Sequence, residues 1–268
     1  MIDHPGADVR PLATPTTAAA AATPTAAAPA ATPTAPADPD AASRYARLSG
    51  VLGLLFSALF VLALVLVDRS PGLAVPDADY AAFYTAGGAR TLVTVGTSLV
   101  PFAGIAFLWH LTTLRLLVRA HTPEPSAIPD GLQLLSGMMF VVLLFVGVGA
   151  AGATALLMDL TNVPLPSVGI ARSLSGLGYG MVFVYAIRGA GMYVITTTTL
   201  LRRAGLLPRW AALLAYVMAA VLLLATTFNP AVVLVFPAWV VLVSVVVLAG
   251  ARRGGPRSAP TSDKEGAA

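Results

Sequence analysis

Arg188 is the residue best placed to do chemistry, because its charge falls inside a long apolar run. It lies 16 residues after Arg172 and 14 before Arg202. In a helix those separations are about 24 Å and 21 Å, which places Arg188 near the middle of a bilayer. An arginine there costs at least about 2.5–3.5 kcal/mol and usually faces a bundle interior or a wet cavity. No Asp or Glu lies within the apolar runs, so its five N–H donors need carbonyls, hydroxyls, water or an anion.

Four other residues have types suited to a polar site around Arg188. Tyr185 lies one helical turn away on the same face and offers a hydroxyl. Pro101 interrupts the second apolar run and should free backbone carbonyls near the hydroxyl of Thr97. His110 lies near the inner end of that run, and an imidazole that titrates near neutral pH suits a proton relay. The alternatives are a proline kink that only shapes packing, an interfacial or hydrogen-bonded histidine, and an arginine held by carbonyls or snorkelling to an interface.

The chain lacks the residue patterns of a metal site or a common catalytic centre. It has no Cys, and His4 and His121 lie outside the apolar runs, so a zinc ligand set cannot be assembled. It also has no HExxH motif and no phosphate-binding Gly-Lys loop. We therefore predict no catalytic residues, no metal and no cofactor, and a lipid-modifying enzyme is only the third interpretation of this sequence.

The composition indicates whether the chain folds in water or in a membrane. Apolar residues make up 57% of the sequence and charged residues 10%, and only fifteen charged residues lie between Leu48 and Ala251. A soluble domain carries about 25% charged residues, because its surface must be hydrated. This stretch excludes a soluble enzyme, a secreted disulfide scaffold and a nucleic-acid-binding domain. It indicates an integral membrane protein.

Six apolar runs have the length that a helix needs to cross a hydrocarbon core, about 20 residues. They are 48–67, 91–114, 132–158, 174–201, 210–228 and 232–250. The runs are continuous and lack the alternation of a membrane β-barrel, whose strands span about ten residues. The sequence therefore predicts an all-α fold, a polytopic transmembrane bundle of six spans, as the domain 44–251.

The arginines predict the orientation of this bundle. Near the span ends on the side of the N-terminus lie eleven Lys/Arg, against three on the opposite side. Cytoplasmic loops carry the excess of positive charge. We therefore expect both termini in the cytoplasm of a multi-pass plasma-membrane protein.

Two tails flank the predicted bundle. Residues 1–43 are rich in Ala, Pro and Thr and contain little that can be buried, which predicts a disordered cytoplasmic tail. Its Thr-Pro sites would suit phosphorylation in a regulatory tail, although a compositional overhang is the simpler interpretation. Residues 252–268 form a short polar tail on the same side.

Two outward connections have informative lengths. The segment 68–90 is long enough for a short helix, which Asp77 or Asp79 would cap and which would carry Tyr80 and Tyr84. Tyrosines beside a membrane surface are more often interfacial anchors than ligand contacts. The last two runs are joined by little more than an Asn-Pro pair, a tight hairpin that should make those helices neighbours.

Three segments resemble a known group of proteins. They are FAGIAFLWHLTTLR at 102–115, GLLPRW at 205–210 and the last span from 236 to 248. Together they resemble multi-pass membrane proteins of unknown function from high-GC Gram-positive bacteria. The resemblance implies a helical bundle in the plasma membrane, and it implies no particular activity.

The functional prediction follows from Arg188. We expect an integral plasma-membrane protein that binds or transports a small solute, such as an anion, through a polar site of Arg188, Tyr185, Pro101, Thr97 and His110. The alternative is a non-catalytic scaffold or accessory subunit, because small-residue faces are suited to helix association. The expected partners are the lipid bilayer and either that solute or another membrane protein, and no nucleic acid.

Overall fold

The structure, a computed structural model, describes residues 39–122, 126–161, 163–225 and 229–253. Within these residues the chain forms seven helices and no strand. The helices are α1 (Pro39–Val67), α2 (Asp77–Thr85), α3 (Gly88–His121), α4 (Ala127–Thr161), α5 (Val168–Arg203), α6 (Arg209–Leu224) and α7 (Pro230–Arg253).

The predicted helical fold is confirmed, and five of its helices are long and apolar enough to cross a membrane: α1, α3, α4, α5 and α7. The sixth, α6, is apolar but has only 16 residues, which is about 24 Å of helix. The last three residues of the predicted run 210–228 lie outside the described residues. A membrane protein with six spans is therefore still a prediction.

Helix α1 begins earlier than the predicted tail allows. The tail was expected to reach residue 43, but the helix starts at Pro39. Proline is favoured in the first turn of a helix, and an acidic residue such as Asp40 interacts well with the helix dipole there. The side chains of Ser43 and Arg44 both donate to the Asp40 carbonyl. Residues 1–38, and 254–268 of the second tail, lie outside the described residues.

Six of the helices pack as a closed ring. Helix α1 packs on α3 and α7, α4 packs on α3 and α5, and α6 packs on α5 and α7. The neighbouring positions of α6 and α7 confirm the predicted hairpin. We call the end of the ring that carries α2 the α2 end, and the opposite end, which carries Arg115, Arg119 and Arg203, the arginine end.

Aromatic side chains fill the middle of the ring. The rings of Phe56, Phe107, Phe140 and Phe236 are mutually packed, with centroid separations of 4.7–6.2 Å. All four side chains are almost completely buried. Edge-to-face geometry dominates, which is the favourable arrangement for aromatic quadrupoles. This cluster joins α1, α3, α4 and α7.

Two helices contain a π-helical turn. In α3 the turn Val95–Leu99 lies directly before Pro101, and the N–H of Val100 donates to the carbonyl of Val95. Proline has no N–H, and its ring clashes with the carbonyl four residues earlier, so a wider turn accommodates it. In α5 the corresponding turn is Met181–Ala186. Such turns are rare and often lie at functional sites.

Glycines bring α4 and α5 together near the α2 end. A Cβ on Gly147 would lie 2.9 Å from the carbonyl oxygen of Gly178, and a Cβ on Gly178 would lie 2.4 Å from that of Gly147. The two backbones are therefore too close for any side chain. The close contact is formed by Gly178, whereas a Cβ on Gly180 would meet nothing within 4 Å.

Candidate functional site

Arg188 lies on a half-buried face of α5. Its guanidinium donates a hydrogen bond to the carbonyl of Val184, one turn earlier in the same helix. Near it, Gly191 packs against Leu222 and Leu223 of the antiparallel α6. Arg188 is one turn further from the arginine end than Gly191, so it lies level with the C-terminal end of α6. The carbonyls of a helix C-terminus lack intrahelical partners and favour a nearby cation.

The other predicted site residues are spread over the bundle. The side chain of Tyr185 is 57% exposed. Thr97 is exposed as well, and its hydroxyl donates to the carbonyl of Val93 in its own helix at 2.7 Å. Pro101 is half-buried just after the π-turn of α3.

His110 is completely buried where α1 meets α3. Its Nδ1 lies 2.8 Å from the carbonyl oxygen of Ser49 and 3.2 Å from the Ser49 hydroxyl. A carbonyl only accepts hydrogen bonds, so Nδ1 carries the proton and donates. Gly53 leaves room for this contact, because a Cβ there would lie 2.8 Å from Nδ1 and 2.3 Å from the hydroxyl oxygen of Ser244.

His110 and Arg188 lie at different depths. Five residues separate His110 from Arg115, and fifteen separate Arg188 from Arg203, so their distances from the arginine end differ by about 15 Å along the helices. His110 is therefore a hydrogen-bonded histidine, one of the alternatives that the sequence left open. Its role as a proton relay stays a prediction.

A cavity with a volume of about 80 Å³ lies at the α2 end. On that scale a water molecule occupies about 10–15 Å³, so the cavity has room for several waters or a similar number of chain carbons. Its walls come from α1, α3, α4 and α5, with Val233 of α7 and the connector after α1. Helix α2 contributes Tyr80, Phe83 and Tyr84. None of the five predicted site residues lines it.

Hydroxyl groups lie together on the α2 side of this otherwise apolar cavity. The phenol of Tyr80 donates to the hydroxyl of Ser175 at 2.9 Å. The Oγ of Ser70 is buried and has no hydrogen-bond partner among the described residues. Tyr84 and Tyr179 also line the cavity, and burial raises the pKa of the Tyr84 phenol above its usual range, so that phenol is neutral at physiological pH. We call these five residues the hydroxyl cluster.

Arg172 fastens α2 over the cavity. Its guanidinium lies 2.9 Å from a carboxylate oxygen of Asp77, at the start of α2, and donates to the carbonyl of Val75 at 2.9 Å. It also stacks on the ring of Tyr80, 5.1 Å from the centroid. Tyr80 in turn bonds Ser175, one turn beyond Arg172 on α5. The short helix is therefore held to α5 by a charge pair, a cation–π contact and a hydrogen bond.

Small residues and π-turns shape the opposite wall. Gly147, Ala151 and Gly152 of α4 line the cavity without large side chains. Val95, in the π-turn of α3, and Val182, in that of α5, also line it. Both irregular turns therefore border the same cavity.

A cluster of charged side chains lies at the arginine end. The carboxylate of Asp130 in α4 receives two hydrogen bonds from Arg115, at 2.6 Å and 3.1 Å, and one from Arg119 at 2.9 Å. Nearby, Arg203 donates to the hydroxyl of Ser126 at 2.6 Å. The bidentate geometry is the strong form of an arginine–carboxylate pair, and it joins α3 to α4.

Tyr80 and Tyr84 are not the exposed interfacial anchors that the sequence predicted. Their side chains are only 2% and 4% exposed and face the cavity. A signal was present in α5, because Arg172, Ser175 and Tyr179 follow one another at spacings of three and four and so share a face. It was missed because none of them lies in the middle of an apolar run.

Comparisons with known proteins do not assign the chain to a family. No family model matches the chain, and no curated protein or solved structure matches it either.

Proposed function

We propose that the protein is a plasma-membrane protein of six spans with both termini in the cytoplasm. The five long apolar helices support the membrane location. The sixth span is supported by the closed ring, in which α6 fills the position between α5 and α7. The orientation rests on the excess of arginines at one end.

We further propose that this protein binds a small, largely apolar solute in the cavity at the α2 end. The observation that carries the proposal is a cavity whose walls come from five long helices and which is covered by the short helix α2, which α5 holds in place. An apolar pocket with a few convergent polar groups is the usual form of a small-molecule site.

Two glycines of α4 make a matched pair for testing this binding. A Cβ on Gly152 or on Gly149 would meet nothing within 4 Å, so a side chain can start at either position without a clash at its first carbon. Gly152 lines the cavity, whereas Gly149 is exposed and does not. Gly152→Leu should therefore fill the cavity, and Gly149→Leu should leave it open.

The probe is a 16-carbon alcohol that carries a diazirine, added to the protein in phosphatidylcholine vesicles. After irradiation, labelled peptides are identified by mass spectrometry. We expect labelling of the α2 peptide that contains Tyr80, Phe83 and Tyr84, in the parent and in Gly149→Leu, and a loss of most of that labelling in Gly152→Leu. Equal labelling of all three proteins, or no α2 labelling in the parent, would refute the cavity as a solute site.

A polar site at Arg188 is the second candidate. Its half-buried position level with the end of α6 favours it. If Arg188 binds an anion, Arg188→Leu should abolish stabilisation by inorganic phosphate or small carboxylates while leaving membrane insertion intact. An unchanged response to those anions in the variant would leave Arg188 with a packing role.

The scaffold alternative predicts a defined protein partner rather than a solute. The exposed Gly149 lies where a partner helix could approach closely. Crosslinking in native membranes should then recover one partner from the parent and lose it in Gly149→Leu. Gly152→Leu should retain the partner, so the pair of variants separates this role from solute binding.

A further inference from the structure

We propose that the solute of the α2-end cavity is a neutral amphiphile, with one apolar chain and a single hydroxyl or carbonyl oxygen that binds at the hydroxyl cluster. This inference rests on the proposed solute-binding function and names its ligand class. Three observations lead to it: the charge of the lining, the hydrogen-bonding capacity of the cluster, and the size of the cavity.

The lining excludes a charged ligand. Among the described residues that line the cavity there is no Asp, Glu, Lys, Arg or His. Arg172 does not line the cavity, and its charge is paired with the carboxylate of Asp77. Its guanidinium also donates to the Val75 carbonyl and stacks on the ring of Tyr80, although its Nε has no hydrogen-bond partner among the described residues. An ionised head group would therefore be buried without a counter-charge, which is very unfavourable.

The cluster can bind one oxygen atom. Within the cluster, Tyr80 donates to the oxygen of Ser175, and Tyr84 interacts with the hydroxyls of both Tyr80 and Ser175. The hydroxyl of Ser70 is buried without a partner among the described residues and both donates and accepts. A ligand hydroxyl or carbonyl oxygen would satisfy the Ser70 hydroxyl, which a purely apolar ligand would leave unpaired at a cost.

The rest of the cavity is suited to the hydrocarbon chain of the ligand. Beyond the cluster the walls are Val, Leu, Phe, Ala, Pro and Gly residues. A volume of about 80 Å³ encloses the oxygen and the first several carbons, at about 10–15 Å³ for each group of the size of water. A longer chain must extend beyond the cavity, between the helices and into the surrounding lipid.

The test is a competition experiment with the diazirine alcohol in phosphatidylcholine vesicles. Unlabelled competitors have equal chains and different ends: 1-hexadecanol, methyl palmitate, palmitate, hexadecyl phosphate and hexadecane. We expect the alcohol and the ester to suppress α2 labelling at concentrations at least tenfold lower than the two anions and hexadecane.

A serine pair tests the role of the cluster. Ser70→Ala should weaken competition by hexadecanol about three- to tenfold, the effect of one hydrogen bond, and leave hexadecane unchanged. The control is Ser173→Ala, whose exposed hydroxyl donates to the carbonyl of Gly169 within α5. It should behave like the parent.

The outcomes separate this inference from the proposed function. If palmitate or hexadecane competes as well as hexadecanol, or if Ser70→Ala has no effect, the neutral-oxygen ligand class is wrong although the cavity still binds a solute. If no competitor reduces α2 labelling, or if the parent's α2 peptide is not labelled, the proposed function itself fails.

Discussion

The phenol of Tyr80 donates a 2.9 Å hydrogen bond to the hydroxyl of Ser175, and this contact joins the short helix α2 to the long helix α5 across the cavity. Both residues are almost fully buried. Arg172, one turn earlier on α5, stacks on the same tyrosine and pairs with Asp77. Tyr80 and Tyr84 also pack against Ala155 and Ala171, so polar contacts and apolar packing together hold α2 over the cavity.

Removing Arg172 should loosen α2. We expect Arg172→Ala to lose a cation–π contact and a partly exposed ion pair, each worth about 0.5–1 kcal/mol. A cysteine introduced at Phe83, in an otherwise cysteine-free chain, should then react several-fold faster with a membrane-impermeant maleimide.

The control for this measurement is Arg90→Ala, at an exposed arginine near the same end. It should leave the reaction rate unchanged. An equal reaction rate in Arg172→Ala and in the parent would show that Arg172 does not hold α2 over the cavity.

Gly53 should tolerate no side chain. A Cβ there would lie 2.3 Å from the Ser244 hydroxyl and 2.8 Å from Nδ1 of His110. We expect Gly53→Ala to destabilise the bundle by about 1–3 kcal/mol, the usual cost of overpacking. Thermal unfolding in detergent measures this, with Gly149→Ala as the control, and a Tm equal to that of the control would contradict the close contact of α1, α3 and α7.

Asp130 should stabilise the arginine end. Asp130→Asn removes the charge that pairs with Arg115 and Arg119, and we expect a loss of about 1–2 kcal/mol, less at high salt. Asp159→Asn, at an exposed position near the other end of α4, should have little effect. Equal Tm values for both variants would mean that the ion cluster contributes nothing measurable.

Cysteine accessibility can decide the number of spans. If α6 crosses the membrane, a cysteine at Asn229 is labelled from the same side as one at Ala78 in α2, and a cysteine at Ala127 only from the opposite side. If α6 does not cross, the cysteines at Asn229 and Ala127 react from the same side. The chain has no cysteine of its own, so each label reports one position.

The sequence predicted the long helices well because a membrane leaves little choice of structure. Backbone groups in lipid must bond within the segment, so an apolar run of sufficient length becomes a helix. The helices extend past their apolar runs, as α1 does to Pro39, because polar residues continue a helix once it has formed.

The cavity could not be predicted in the same way. It depends on the close approach of Gly147 and Gly178, on two π-turns and on α2 folding back over the bundle. Hydropathy does not show which face of the short helix α2 points inward. The sequence therefore predicted Tyr80 and Tyr84 at the membrane surface. Pro101 did signal an irregularity in α3, although not its form.

The most direct test of solute binding is the thermal stability of the protein in lipid nanodiscs as 1-hexadecanol is added. A ligand that binds only the folded state raises stability in proportion to RT ln(1 + [L]/Kd). The Tm of the parent and of Gly149→Leu should rise with the alcohol concentration, and that of Gly152→Leu should stay constant. An equal rise in Gly152→Leu, or no rise in the parent, would contradict binding in the α2-end cavity.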